Sequence, residues 1–250
     1  MNGFLGAIQF LTRIPVRTKA AVEHHRVVPW FSVVGALIGI VVGAVAAGLG
    51  HLVPTPVAAG LAIIAGLLIT GAFHEDGLAD IADAFGGGWT RQQRFEILKD
   101  SRHGTYGVAA LAGSILLRVI CVASISSPAA AFAGLVAAHT IGRTAAVGVL
   151  AVAPPATPSG LAADSGRSLR PLPTALGLVS GLGLVGVVAG WWAGPLVVAA
   201  LFGAGGVVWL AIRKIGGIAG DVLGAVEQVV ECLVLVVVAG LAQHHAVWWV

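Results

Sequence analysis

Asp76, Asp80 and Asp83 are spaced i, i+4, i+7, so on a helix their carboxylates stack along one face. Carboxylates stacked this way repel one another unless a cation sits among them. Hard divalent cations such as Mg²⁺ take oxygen ligands and bridge substrate phosphates. Glu75 stands beside the first Asp, which makes Glu75, Asp76, Asp80 and Asp83 the candidate metal ligands. Gly77 admits a close approach by a ligand. The competing explanation is a solvated helix start, because acids favour a helix N-terminus. It accounts for Glu75 and Asp76, less well for Asp83.

The next residues are Gly86-Gly87-Gly88. Their N–H groups can cradle a phosphate, or the three can serve as a hinge. Arg91, Arg94, Lys99 and Arg102 follow, interleaved with Phe95, Ile97 and Leu98. From Thr90, a plausible N-cap, this segment reads as an amphipathic helix. It suits an anionic membrane surface, and it also suits holding substrate phosphates. Lys99-Asp100-Ser101-Arg102 mixes both signs in a tight space, which favours a site.

These residues form an island. The 29 residues His74 to Arg102 hold 10 of the chain's 25 Asp, Glu, Lys and Arg residues. The chain as a whole is 58% hydrophobic and 10% charged, with a mean hydropathy of +0.96. Soluble domains carry about 25% charged residues. Too little polar surface remains to cover a water-soluble globule, so the expected fold is an all-α, polytopic transmembrane bundle. It forms one integral membrane domain over residues 1–250, with a charged cytoplasmic segment at 74–106. Ions kept in such a chain cost free energy that packing alone would avoid. The net charge of +3 follows from basic loops rather than from a nucleic-acid partner. Cys121 and Cys232 fall in apolar runs and imply no disulfide framework. Residues 1–12 lack the flanks of a cleavable signal peptide and read as an interfacial or re-entrant segment.

Seven windows reach the roughly 20 apolar residues a span needs: 28–50, 56–73, 107–126, 128–152, 174–193, 195–212 and 222–242. If all seven cross, 12 of the 14 basic residues fall on one side, from Arg13, Arg17, Lys19 and Arg26 to Arg213 and Lys214. The positive-inside rule then puts the N-terminus in the cytoplasm and the C-terminus outside. Gly35, Gly39 and Gly43, with Gly177, Gly181, Gly186 and Gly190, form small-xxx-small ridges. These suit packing within the chain in preference to a homo-oligomer interface. Arg118, His139, Arg143, Glu227 and Glu231 fall inside windows. Arg118, Arg143 and Glu231 lie at similar depth, roughly 14–17 Å in by helical rise. That predicts one buried ionic layer, either structural or the floor of a pocket.

Phe10-Leu-Thr-Arg-Ile-Pro-Val16, His74-Glu-Asp-Gly-Leu-Ala-Asp80 with Asp83, Lys99-Asp-Ser-Arg-His-Gly-Thr-Tyr-Gly107 and Gly217-Ile-Ala-Gly-Asp-Val-Leu-Gly-Ala225 together resemble the cobalamin synthase family, or adenosylcobinamide-GDP ribazoletransferases. The resemblance runs from end to end. It implies a Mg²⁺-dependent enzyme of the cytoplasmic membrane, its active site facing the cytoplasm, that joins adenosylcobinamide-GDP to α-ribazole or its 5′-phosphate and releases GMP. On these motifs Asp76, Asp80, Asp83, Lys99 and Asp100 are the catalytic candidates. Arg13, His74, Arg91, Arg102, His103, Arg143 and Asp221 are the substrate-binding ones. Ala84 stands where Gly is expected and His103 where an aliphatic residue is common. Both lie beside the acids rather than among them.

The residues fit that chemistry. Displacement at a pyrophosphate phosphorus needs positioning and charge neutralisation. Two alternatives compete. A phospholipid-type transferase acting on a CDP-linked donor also uses Mg²⁺ and acids after an Asp-Gly, although the second half of its signature does not match. An ion-coupled transporter would use the charges inside the spans, but it leaves the acids from Glu75 to Asp100 unexplained.

Overall fold

The computed structural model describes residues 2–16 and 23–250; Arg17 and Lys19 lie outside them. The described residues are helical, joined by short turns, with one isolated bridge between Pro155 and Ile218. In chain order the helices are α1 (Asn2–Leu11), α2 (His24–Val27), α3 (Phe31–Leu49), α4 (Thr55–Thr70), α5 (Phe73–Gly87) and α6 (Arg91–Ile97). They continue as α7 (Thr105–Ala123), α8 (Pro128–Val152), α9 (Leu161–Ser168), α10 (Pro171–Ala189), α11 (Ala193–Ile215) and α12 (Gly220–Leu241).

By length and apolarity five stretches can cross a membrane, or six with the bent pair α4 and α5 as one span. The count differs from the seven windows for two local reasons. The window 56–73 becomes α4, 16 residues long, and the chain then turns by 91° into α5. Gly71 and Ala72, at φ 67° and 56°, make that corner. A left-handed alanine carries a steric penalty that glycine avoids. Windows 174–193 and 195–212 form one 45-residue stretch, broken at Gly190, where φ is 58°. Its arms fold back beside each other. Leu178 and Leu182 of α10 and Ala200 and Ala204 of α11 border the same groove along α8.

Helix α8 is the centre of the bundle and packs against α3, α10 and α12. The glycine ridge of α3 makes a close backbone approach to α8. A Cβ at Gly35 would lie 2.5 Å from the His139 carbonyl oxygen, and one at Gly39 would lie 2.6 Å from the Val136 Cα. Gly177 lies against Pro29 in the same way, whereas Gly186 faces open space. Side chains such as Leu116, Leu176, Leu201 and Phe202 point outward. An apolar exterior of this kind suits hydrocarbon.

The charged loops gather at one end of the bundle. Arg91 Nη2 donates to the Ala156 carbonyl at 2.7 Å, and Arg94 Nη1 donates to that of Lys214 at 2.8 Å. At the other end Trp248 and Trp249 donate to the carbonyls of Val187 and Val188, each at 2.9 Å.

Candidate active site

Helix α5 carries the acids. Gly77 and Gly224 let it cross α12 closely: a Cβ on Gly77 would meet the Asp221 carbonyl oxygen at 2.9 Å and the Gly224 Cα at 3.2 Å. That crossing brings Asp221, in the first turn of α12, to the same cavity as Asp76. Asp80, partly buried, faces the charges of Asp76 and Asp83.

The expected three-acid face divides. Asp76 and Asp80 converge on His103, whose Nε2 lies 3.5 Å from Asp76 Oδ1 and whose Nδ1 lies 3.6 Å from Asp80 Oδ1. One ligand atom from each of the three lies within 4.8 Å of the others, a spacing that can hold a metal ion. Asp83 is buried and turned to α7, where it accepts from the N–H groups of Gly104 and Gly107. Glu75 points elsewhere again, to Arg118 Nη2 at 3.0 Å. Successive helix positions are about 100° apart, so Glu75 cannot share the face of Asp76.

Behind the acids lies a buried ionic layer. Arg118 Nη1 meets Glu231 Oε2 at 3.1 Å. Arg143 pairs with both Glu227 and Glu231. His139 Nδ1 is 2.5 Å from Glu231 Oε1, and His74 Nδ1 is 3.0 Å from Glu227 Oε2. The predicted pairing of Arg118 and Arg143 with these glutamates is therefore present, and Glu75 joins it. Arg143 and His74 also line the cavity, so the layer is both a structural pairing and a pocket floor.

The remaining candidates lie around the rim. Asp100 and Arg102 form an exposed fork, with contacts of 3.0 and 2.7 Å. The Arg102 guanidinium holds the Asp100 carboxyl down at about 2. Lys99 is exposed on the same loop. Arg91 and Arg94 spend their guanidinium groups on main-chain carbonyls of neighbouring loops and helices. Thr90 caps α6 in a reciprocal box with Gln93, as its N-cap reading predicts. Arg13 is exposed, its side chain against Gly71 at the α4–α5 corner and its N–H bonded to Ile69 O at 2.7 Å.

The cavity measures about 280 Å³ and runs between α1, α3, α5, α8, α9 and α12. Two of its polar residues carried no signal in the sequence. His24 Nδ1 and Ser165 Oγ lie 3.0 Å apart, 141 positions away from each other in the chain. Neither stands in one of the motifs quoted above, and the fold brings them together.

An apolar helical bundle with paired carboxylates at the mouth of an internal cavity defines an integral-membrane enzyme. The sequence profile described as cobalamin-5-phosphate synthase matches residues 3–239. Curated relatives named adenosylcobinamide-GDP ribazoletransferase include one from Azorhizobium caulinodans, 40% identical over 96% of both chains. One from Bradyrhizobium diazoefficiens is 39% identical over 93% of this chain and 91% of the relative. One from Shewanella frigidimarina is 34% identical over 97% and 96%. No solved structure matches. The chain belongs to the cobalamin-5-phosphate synthase family, transferases of cobalamin biosynthesis.

Proposed function

We propose that the chain joins adenosylcobinamide-GDP to α-ribazole, or its 5′-phosphate, and releases GMP. The observation that carries this reading is the convergence of Asp76, Asp80 and His103 beside a cavity that Asp76 and Asp221 line. It adds a site suited to phosphoryl transfer to the family membership.

Mg²⁺ fits the carboxylate oxygens of Asp76 and Asp80 by donor chemistry. The His103 imidazole is a poorer partner for so hard an ion than the two carboxylates. When bound, the ion supplies neutralisation of pyrophosphate charge. The chain's own groups do the rest. A ribose hydroxyl of the acceptor attacks the phosphorus nearer the corrinoid. The new P–O bond forms as the bridging P–O bond breaks, and GMP leaves with the bridging oxygen. Asp221 accepts the hydroxyl proton from its seat in the cavity wall. Arg143 and His74, on the cavity floor, hold the acceptor end away from the bundle interior.

The charged end of the bundle faces the cytoplasm, and the tail with Trp248 and Trp249 faces outward. The basic loops support this orientation. Counting α10 and α11 as two arms, α3, α4, α7, α8, α10, α11 and α12 cross the membrane.

The test is purified protein in detergent with both substrates and Mg²⁺. GMP release that needs the acceptor supports the reading. GMP release without the acceptor, or none, would overturn it.

A further inference from the structure

The cavity beside the acids is apolar and aromatic along most of its length. Phe10 and Phe31 stack at 5.3 Å with an interplanar angle of 18°, and Phe73 meets Phe10 edge-on at 5.5 Å. Val147, Leu150 and Leu161 also line the cavity. Its volume, about 280 Å³, lies at the lower end of ligand cavities. Its polar groups are distributed unevenly. Asp76, Asp221, His74 and Arg143 carry charge or meet it, while His24 and Ser165 are bonded to each other.

Resting on the transfer reading above, we infer that this cavity seats the base of the acceptor nucleoside, and that Phe10, His24, Leu161 and Ser165 select it. A corrinoid carrying a nucleoside diphosphate is several times too large for the space. Guanine presents an edge of amide donors and acceptors, which an apolar wall leaves unmatched, and burying unmatched polar groups is costly. An alkylated benzimidazole is flat, bicyclic and neutral, and it offers one free ring nitrogen as an acceptor. It meets an aromatic wall on its face. The His24–Ser165 pair provides a donor for the single nitrogen. With the base seated there, its ribose reaches the Asp76 and Asp221 end, where the reacting hydroxyl is needed. The diphosphate and corrinoid then approach from the outer side of Asp80 and His103.

The test reads each substrate separately. Leu161→Trp fills the cavity from α9, where Leu161 packs against Gly220. Its KM for α-ribazole should rise at least about tenfold, the scale on which an apolar pocket responds to a change in fit. Its KM for adenosylcobinamide-GDP should stay within about twofold, well under one decade of affinity. Ser165→Ala keeps the shape and serves if the Trp variant inserts poorly. It should weaken α-ribazole binding, measured directly by calorimetry without the second substrate. It should also narrow the preference for a benzimidazole nucleoside over an adenine one. A rise in KM for adenosylcobinamide-GDP with α-ribazole unaffected would overturn the assignment while leaving the transfer reaction intact. Unchanged α-ribazole binding in both variants would also overturn it. A wild-type protein that binds α-ribazole but releases no GMP would instead remove the transfer reading itself.

Discussion

Asp83 holds Gly107 by its backbone: the Gly107 N–H donates to Asp83 Oδ1 at 2.8 Å, and the Gly104 N–H donates to Oδ2 at 2.6 Å. The carboxylate thus caps the start of α7, where free N–H groups and the helix dipole both favour a negative charge. Gly107 has no room for a side chain, because a Cβ there would run into the same carboxylate. One acid of the Asp76, Asp80, Asp83 series therefore ties two helices together, and the other two converge on His103.

Asp83→Asn should accordingly act on stability. The amide keeps one acceptor but turns an NH₂ toward a backbone N–H. A hydrogen bond to a charged group contributes about 1.5–3 kcal/mol, so a loss on the order of 2 kcal/mol is expected. Gly107→Ala should destabilise the same joint. Thermal unfolding in detergent, with and without Mg²⁺, checks this. A drop that is the same in both conditions supports the capping role, whereas a drop seen only with Mg²⁺ would return Asp83 to the metal site.

Asp76→Asn and Asp80→Asn should leave insertion and the melting temperature without metal near wild type. Turnover should fall about a thousandfold, because a catalytic cation contributes several kcal/mol and each 1.4 kcal/mol is tenfold in rate. Chelating Mg²⁺ from the wild-type protein should have the same effect and be reversed by adding it back. Glu23→Gln should be nearly silent, since Glu23 is an exposed partner of Arg26. GMP release across a Mg²⁺ titration checks all four, and near-normal turnover by Asp80→Asn at low Mg²⁺ would refute the metal assignment.

Much of this was legible in the sequence, for identifiable reasons. Continuous apolar runs mark helices well, and the i, i+4 spacing of Asp76 and Asp80 survives folding because it is local. Equal depth was enough to pair Arg118 and Arg143 with Glu231. Two features needed the fold. The donors that Asp83 meets arrive 21 and 24 residues later, on another helix. The 91° corner at Gly71 and Ala72 has no hydropathy signature, so the bend that joins α4 to α5 could not be read from apolar runs alone.

Sidedness can be read chemically. A cysteine placed at Trp89, 87% exposed between α5 and α6, should react with a membrane-impermeant thiol reagent only after the cells are opened. A cysteine at Val250, beside the Trp248 and Trp249 contacts, should react in intact cells. Cys121 and Cys232 are buried, so the background should be low. Labelling of both positions under the same condition would sink the seven-crossing topology and the cytoplasmic placement of the acids.

The ionic layer gives the last prediction, a ranking. Glu231 is in contact with Arg118, Arg143 and His139, whereas Glu75 meets Arg118 alone. Removing one partner of a buried pair leaves a charge without compensation and costs roughly 3–5 kcal/mol. Glu231→Gln removes the counter-charge of two guanidinium groups at once and should sit at or above that range. Glu75→Gln should cost less, because Arg118 keeps Glu231. Arg143→Gln should resemble Glu231→Gln, since it leaves Glu227 and Glu231 facing each other. In the double variant Glu231→Gln with Arg143→Gln, part of the penalty should be recovered, because Arg143 and Glu231 no longer leave each other unpaired and only Glu227 loses its guanidinium partner. Melting temperatures of the four proteins in one detergent decide the matter. If Glu75→Gln is the most damaging, or if the double variant is as unstable as the sum of the singles, the glutamate at the centre of the layer is not Glu231.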